Sequence, residues 1–501
     1  MRSTFAESTM RSYLKKLFFF SILITFAGCT GPEPPPTPAE FSGQPPTPVH
    51  QNLKGIKLKI ASMEDPALSE VAADLLGEWQ ASTQGEVEIV AKPTFTEPGS
   101  LDPSVDIWLV RGQKLGELID QDALEPLGSL NADWAKRPPV FDSTVTKYGP
   151  DRFAVPIGTR MLVIAYREEE LKSPATLESI QKAGLVFPPK TWDEFDKLVE
   201  LLQKTKPGLL VIPTNIEPND QLPLDIFLAR STAVGKHRDH FSFLFSAESM
   251  EPRIATTPFV DTLTALTKLK QAENLTPSQA RAAFRDGKAL MLIDYAENAS
   301  TWAKADEKGK IGVLPLPGSL RVYEPDRKAY DKMESSQPSA YLPIGGGYLA
   351  VIAKGRKPES LAAAKDLLTY LAGDSTATTW AADRRMAMCP TRDAMLAAGF
   401  VDPRIAPRVE SGAWGEAILT QITGENAVVG LRIPQASEFL ADLQTAVTAS
   451  LNGKPPAGEL ENAAKKWKDR VAAFGPARLK WHYRRSLVRP VTDPKAPPRG
   501  Q

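Results

Sequence analysis

From residue 55 onward the chain alternates short apolar strands with amphipathic helices, and this alternation restricts the possible folds most. Residues 55–61 alternate apolar and polar side chains as a strand does, and residues 65–80 then place apolar side chains at helical spacing. Residues 87–90 and 105–110 predict two more strands, the second almost entirely apolar. Strands that alternate with helices predict βαβ crossovers and a parallel sheet buried on both faces. We therefore predict an α/β fold.

The same alternation continues to about residue 474. Thr191-Trp-Asp-Glu194 is a capping box that predicts the start of a helix. No internal repeat is present, and roughly 420 residues of this pattern are enough for two lobes. Further strands are predicted at 153–156, 161–166, 289–293 and 348–353, and further helices at 191–203, 358–371, 435–451 and 459–474.

The N-terminus has the pattern of an export signal. Arg11, Lys15 and Lys16 precede an apolar run at 17–27, which is much shorter than the roughly 20 residues of a membrane span. The run ends in Phe26-Ala-Gly-Cys29, which resembles the lipobox of bacterial lipoproteins. This resemblance implies a signal peptide at 1–28, lipidation of Cys29 and an extracytoplasmic protein anchored to a bacterial membrane by its lipid. A plain secretory signal with an incidental cysteine is the alternative.

Two terminal segments lack the apolar periodicity of the body. Residues 29–54 contain eight prolines, which favour an extended polyproline II conformation and predict a tether. Residues 475–501 are basic and contain prolines, and we predict a solvated tail there. Contact of this tail with an anionic lipid or cell-wall polymer is the alternative.

Composition and motifs exclude several classes of function. The chain has 60 Lys and Arg against 60 Asp and Glu, so no general affinity for nucleic acid is expected. Two cysteines cannot build a disulfide scaffold, and four histidines offer little for a metal site; His237 and His240 are expected in a solvated loop. No Gly-x-Ser-x-Gly, His-Glu-x-x-His or Walker motif is present. We expect no catalysis, cofactor or metal, although carboxylate spacing alone leaves a glycosidase open.

Seven short segments, in order, resemble the extracellular solute-binding proteins of ABC importers, the family that includes maltose- and other sugar-binding proteins. Residues 211–256 and 319–342 do not match the family pattern. The matching segments are Val105-Asp-Ile-Trp-Leu-Val110, 151–167, Pro188-Pro-Lys-Thr-Trp-Asp-Glu-Phe195, Phe284-Arg-Asp-Gly-Lys-Ala-Leu-Met291, Val313-Leu-Pro-Leu-Pro-Gly318, Gly345-Gly-Gly-Tyr-Leu-Ala-Val351 and Cys389-Pro-Thr-Arg392.

The resemblance implies a two-lobed, periplasmic-binding-protein-like fold whose lobes close on a solute. The first crossing between lobes is expected near Thr159 and Arg160. The predicted division assigns 55–159 and 285–335 to lobe 1, and 160–284 and 336–474 to lobe 2.

The resemblance also implies a set of ligand-binding residues. A sugar site needs aromatic faces and side chains that hydrogen-bond to hydroxyl groups. Alternatives stay open: Asp65 can cap a helix, Trp108 can be a core residue, and Arg160 can form an inter-lobe salt bridge. The predicted set is Glu64, Asp65, Asp106, Trp108, Arg160, Asp294, Tyr295, Trp302, Gly346, Tyr348 and Arg384.

The resulting hypothesis is a monomeric, lipid-anchored solute-binding protein that captures a carbohydrate or similar polar small molecule for ABC permease subunits. The alternatives are an exported polysaccharide-processing enzyme and a sensor or scaffold that no longer serves transport.

Overall fold

Two β-sheets organise the chain, and helices cover both. The computed structural model describes residues 52–91, 100–130, 132–205, 210–211, 213, 215, 217, 220–269, 275–303, 310–337, 340–383, 385–386, 388–399, 408–424, 427–489 and 495–497. The predicted signal peptide, Cys29, most of the tether and Arg384 lie outside these residues. Within them, no helix is both long enough and apolar enough to cross a membrane.

The strands alternate with helices as the sequence predicts, and the α/β prediction is confirmed. In chain order the strands are β1 Lys57–Ser62, β2 Glu86–Ile89, β3 Ile107–Arg111, β4 Lys147–Tyr148, β5 Asp151–Arg152, β6 Ala154–Gly158, β7 Leu162–Arg167, β8 Leu210–Val211, β9 Met291–Tyr295, β10 Ile311–Pro315, β11 Ser319–Glu324, β12 Ala329–Gln337, β13 Tyr341–Leu342, β14 Tyr348–Ile352 and β15 Val428–Val429.

The helices fill the connections between these strands and the C-terminal part of the chain. They are α1 Pro66–Thr83, α2 Leu115–Asp120, α3 Glu168–Leu171, α4 Pro174–Lys182, α5 Trp192–Thr205, α6 Leu222–Gly235, α7 Thr257–Leu269, α8 Pro277–Arg285, α9 Pro358–Leu371, α10 Asp374–Ala382, α11 Asp393–Ala397, α12 Ser411–Ile422, α13 Ala436–Leu451, α14 Pro456–Phe474 and α15 Pro476–Ser486.

The first sheet has the strand order β2-β1-β3-β14-β6, and the second has the order β10-β7-β9-β8. Both are mixed. β1 is parallel to β2 and β3, whereas β14 runs antiparallel to β3 and β6. In the second sheet β7 is antiparallel to both β9 and β10. The expectation of a purely parallel sheet therefore holds only for β1, β2 and β3 in the first sheet, and for β8 and β9 in the second.

The strand pairing differs from the predicted division into lobes. β9 was expected with residues 55–159, but it pairs with β7 in the second sheet. β14 was expected with residues 160–284, but it lies between β3 and β6 in the first sheet. The pairing therefore reverses the predicted assignment of these two strands. The crossing near residues 159 and 160 does connect β6 of the first sheet to β7 of the second.

Two helix starts illustrate how local sequence fixes the ends of elements. At α5 the Thr191 hydroxyl accepts from the Glu194 backbone N–H at 3.2 Å, and the Glu194 carboxylate accepts from the Thr191 N–H at 3.2 Å. This is the predicted capping box. At α15 Pro476 occupies the first turn, where its missing N–H is not needed.

Helix α15 differs from the solvated tail predicted for residues 475–501. Its side chains Leu479, His482 and Tyr483 are buried. The Tyr483 hydroxyl accepts from the backbone N–H of Phe243 at 3.2 Å. Since residues three and four apart share one helix face, this buried stripe attaches α15 to the body.

Candidate functional site

The ends of several strands meet where the chain crosses from the first sheet to the second. Tyr348, at the start of β14, pairs with Arg111 at the end of β3 and with Gly158 at the end of β6. Leu162, at the start of β7, pairs with Tyr295 at the end of β9. Strand ends of this kind are where open α/β sheets bind ligands. We call this region the crossing site.

Arg160 lies at the centre of the crossing site. Its Nε donates to Glu297 Oε1 at 2.7 Å, and its guanidinium carbon lies 3.6 Å from the centre of the Tyr295 ring. The Arg160 side chain is 14% exposed and that of Glu297 only 1%. Burial raises the pKa of the Glu297 carboxyl, and the charge of Arg160 opposes this shift. Each of these charges would be unfavourable alone in a buried environment, and the ion pair compensates both.

Tyr295 extends this network to helix α6. Its hydroxyl donates to Asp225 Oδ2 at 2.6 Å, and both side chains are buried. Burial raises the pKa of Asp225 to about 7, although the hydrogen bond from Tyr295 lowers it. Arg160, Tyr295 and Asp225 therefore connect the crossing, β9 and α6 through polar contacts.

The only cysteine among the described residues also contacts this network. Cys389 is buried, and its Sγ donates to Glu297 Oε2 at 3.4 Å. Burial raises the pKa of the Cys389 thiol well above its ordinary value. The thiol is therefore protonated and serves as a weak hydrogen-bond donor rather than a nucleophile.

A second polar group follows β1. Asp65 occupies the N-cap position of α1 without a side-chain cap hydrogen bond in the described structure, and its Oδ2 lies 3.8 Å from Arg111. Glu64 is exposed at the same strand end. Partial desolvation raises the pKa of Glu64, whereas the charges of Arg111 and Lys114 lower it. An exposed carboxylate near two basic side chains can accept hydrogen bonds from a polar solute.

Tyr348 and Gly346 connect the two polar groups. Burial raises the pKa of Tyr348, and the positive charges of Arg160 and Arg111 oppose the shift, so this phenol lies within the field of both. Gly346 has φ +100°, and a Cβ there would lie 2.7 Å from Val145 Cγ2. The backbone before β14 therefore packs closely beneath the site.

The structure brings six of the predicted residues together: Glu64, Asp65, Arg160, Tyr295, Gly346 and Tyr348.

Four other predicted residues have structural partners elsewhere. Asp294 is fully buried and accepts from both Arg281 and Trp302 Nε1, at 2.8–2.9 Å. Trp302 and Trp108 have no exposed surface, so neither offers a face for a sugar in this structure. Trp108 is therefore a core residue, which was the alternative to its predicted role in binding. The burial of Trp108 and Asp294 follows from strands β3 and β9, which are covered on both faces.

Asp106 lies at the opposite end of β3. It accepts from the Lys59 backbone N–H at 2.8 Å and from Arg356 at 3.0 Å. A cavity of about 820 Å³ lies at that end, and its lining includes Asp102, Asp120 and Arg356. Asp106 therefore stabilises the end of the sheet that is opposite to the crossing site.

Three residues of the crossing site were not predicted: Arg111, Asp225 and Glu297. Each had a signal in the sequence. Arg111 is the only charge in an apolar strand and its last residue, and Asp225 is a single carboxylate early in an apolar helix. Glu297 follows Tyr295 by two residues, but nothing local indicates that it pairs with Arg160.

Comparisons with known proteins agree with this fold. A family model described as bacterial extracellular solute-binding protein matches residues 81–405. Maltose-bound MalE3 of T. maritima is 20% identical, with a TM-score of 0.56, over 83% of this chain and 100% of that one. No curated protein sequence gives a significant match.

Two other solved structures are similar. An ABC transporter solute-binding protein from Agrobacterium radiobacter K84, in complex with ribitol, is 18% identical with a TM-score of 0.57, over 84% of this chain and 100% of that one. The GacH receptor of Streptomyces glaucescens GLA.O was solved unliganded and with acarbose. It is 14% identical, with a TM-score of 0.54, over 82% of this chain and 97% of that one. At these identities the likeness concerns the fold.

Proposed function

This chain belongs to the bacterial extracellular solute-binding proteins and has a two-lobed α/β fold; from that premise we propose that it captures a polyhydroxylated small molecule, a sugar or polyol, at the crossing site. The observation that carries the proposal is the convergence of Arg160, Arg111 and carboxylates on the strand ends between the two sheets. The three similar structures were solved with maltose, ribitol and acarbose, and these ligands support the proposed ligand class.

The chemistry of the crossing site suits hydroxyl groups. Guanidinium groups donate pairs of hydrogen bonds, and carboxylates accept them, so together they can bind adjacent hydroxyls of one ring. Glu64 is exposed, and Asp65 and Arg111 are partly exposed, so these three side chains are accessible to a solute. Arg160 and Glu297 are more buried, and their ion pair lies against the Tyr295 ring.

Transport enters the proposal through the family. A binding protein of this kind works by binding more tightly to a closed arrangement of its lobes than to an open one. We propose that the closed form is presented to ABC permease subunits, that the protein acts as a monomer, and that lipidated Cys29 and the tether at 29–54 hold it on the extracytoplasmic (periplasmic) side of a bacterial membrane. Catalysis is not part of this function.

The test is a thermal-shift screen followed by calorimetry on the chain from residue 29 with Cys29→Ser, which removes lipidation. The screen covers monosaccharides, disaccharides, polyols and amino acids. A solute at about 100 times its Kd stabilises the folded state by about 2.7 kcal/mol. We expect a shift with one class of sugar or polyol, and at least tenfold weaker binding in Glu64→Gln and Arg111→Gln.

Asp106→Asn is the matched control, because it removes a carboxylate from the same sheet at the opposite end of β3. It should bind the solute as the unmodified chain does. A folded sample that responds to no sugar or polyol, or that loses binding equally in all three variants, would contradict the proposal. Release of products from a glycan would instead favour the exported enzyme.

A further inference from the structure

Two segments that depart from the family pattern meet in the folded chain. They are the loop after α6, which contains His237 and His240, and the hairpin formed by β11 and β12. His237 Nε2 lies 3.3 Å from Asp331 Oδ2, and His240 Nε2 lies 2.7 Å from Glu324 Oε1. The two imidazole rings are 5.7 Å apart and nearly perpendicular. The contact between the segments therefore contains two histidine–carboxylate pairs.

The two histidines have different hydrogen-bonding roles. The backbone N–H of Asp239 donates to His237 Nδ1 at 3.2 Å, so Nδ1 is an acceptor and the neutral ring carries its proton on Nε2. Both ring nitrogens of His237 therefore have hydrogen-bond partners within the protein. His240 Nε2, in contrast, faces two carboxylates, since Asp326 Oδ2 lies 3.9 Å away in addition to Glu324.

We propose that His240, Glu324 and Asp326 form a binding site for a divalent transition-metal ion such as Zn²⁺. One nitrogen and two carboxylate oxygens of these residues lie within 4.8 Å of one another. Zinc binds such ligands at about 2.0–2.2 Å, which places neighbouring ligand atoms of a tetrahedral site about 3.4 Å apart. The ion would replace the proton that now joins His240 to Glu324, with small movements of the side chains. Water would supply the fourth ligand.

The surroundings favour a cation at this position. The backbone N–H groups of Asp326 and Arg327 donate to the Glu324 carboxylate at 3.2 and 2.6 Å, which orients it. The Arg327 guanidinium is 63% exposed and pairs with Asp331 as well as with Glu324, so it can move away from an arriving ion.

Access and function follow from the burial of the three ligands. The Asp326 side chain is 81% exposed and that of His240 is 24% exposed, so an ion can enter from solvent. Glu324 is only 8% exposed and forms the inner side of the site. A bound ion would join the hairpin to the loop after α6, and thereby stabilise the contact between the two segments.

The test is calorimetric titration of the tag-free chain with Zn²⁺, comparing His240→Gln, Asp326→Asn and the control Glu334→Gln. Glu334 is an exposed carboxylate on the same hairpin, outside the proposed site. We expect one ion per chain, at least tenfold weaker binding in His240→Gln and Asp326→Asn, and unchanged binding in Glu334→Gln. Co²⁺ bound to the unmodified chain should give the visible absorption of a tetrahedral site.

Several results would overturn the proposal. They are an unmodified chain that binds no Zn²⁺, equal affinities in all four proteins, and binding that depends on Asp326 but not on His240. Circular dichroism checks that each variant is folded. If His240→Gln does not fold, Asp326→Asn decides the matter, because this exposed side chain can be changed with little effect on packing.

Discussion

The guanidinium of Arg160 stacks on the ring of Tyr295, with 3.6 Å between the guanidinium carbon and the ring centre. The same arginine pairs with Glu297, and the same tyrosine donates to Asp225. The crossing between the sheets, the end of β9 and helix α6 are therefore held by one polar network. A change to any one of these four side chains should affect both stability and the shape of the crossing site.

Replacement of Arg160 by glutamine should destabilise the protein by about 3 kcal/mol near neutral pH. The variant leaves Glu297 buried without its cationic partner, and breaking such a pair from one side has this order of cost. The pKa of Glu297, already raised by burial, rises further, so the folded state binds a proton that the unfolded chain releases. The loss in free energy of unfolding should therefore be smaller at pH 5 than at pH 7.5, as measured by urea denaturation.

The double variant Arg160→Gln, Glu297→Gln is the control for this prediction. It removes both charges and leaves two neutral amides that can hydrogen-bond to each other. We expect it to be more stable than Arg160→Gln alone at pH 7.5. An equal or lower stability of the double variant would show that packing on Tyr295, rather than the unpaired carboxylate, causes the loss.

Replacement of Asp225 by asparagine should change the pH dependence of stability. In the folded protein Asp225 keeps its proton up to about pH 7, whereas in the unfolded chain it ionises near pH 3.9. The folded state binds more protons between these values, so stability decreases as pH rises through this window. Asparagine does not ionise and can still accept from Tyr295. Relative to the unmodified chain, Asp225→Asn should gain about 2 kcal/mol between pH 5.5 and pH 7.5.

Urea denaturation followed by tryptophan fluorescence at both pH values checks this prediction. Other titrating groups are common to the two proteins, so their contributions cancel in the difference. A difference that stays constant across this pH range would mean that Asp225 is ionised in the folded state throughout.

The sequence predicts the elements of the fold better than their partners. Periodicity locates β9 and β14 because each is a short apolar run. It does not reveal that β14 lies antiparallel between β3 and β6, since pairing depends on residues that are distant in sequence. For the same reason the predicted division into lobes exchanges these two strands.

The site is predictable only in part, for a related reason. Polar residues at or shortly after the end of a strand, such as Tyr295 and Asp65, can be found from the strand itself. Their partners Arg111 and Asp225 can be identified as charges, but not as partners, without the fold. Trp108 illustrates the opposite error, because an aromatic residue within a strand covered on both faces is buried whatever its chemistry.

Helix α15 gives a prediction that separates burial from charge. Leu479 is fully buried against the body, whereas the Lys480 side chain is 35% exposed and pairs with exposed Glu248. We expect Leu479→Ala to reduce the free energy of unfolding by about 3 kcal/mol, because it leaves a cavity in the core. Lys480→Ala should cost less than about 0.5 kcal/mol, since exposed ion pairs contribute little. Thermal and urea denaturation measure both variants. If the two substitutions lower the stability equally, α15 is not attached to the body through its buried stripe.

Gly346→Ala connects backbone packing to solute binding. Gly346 has φ +100°, its carbonyl accepts from Thr159 Oγ1 at 3.1 Å, and a Cβ would lie 2.7 Å from Val145 Cγ2. An alanine there combines an unfavourable φ, at about 1 kcal/mol, with overpacking of about 2 kcal/mol. Thr159 directly precedes Arg160 in the chain, so a shift of the Gly346 carbonyl also moves the crossing site. Solute affinity should therefore fall at least fivefold.

Gly355→Ala is the matched control for Gly346→Ala. Gly355 also has a positive φ, of +82°, but nothing lies within 4 Å of a Cβ built there. Its substitution by alanine should therefore cost only the conformational strain of about 1 kcal/mol and leave solute affinity unchanged. The difference between the two variants in urea denaturation measures the steric contribution at Gly346 alone. If both variants lose the same stability and bind the solute equally well, the backbone before β14 is not packed against the crossing site as the structure describes.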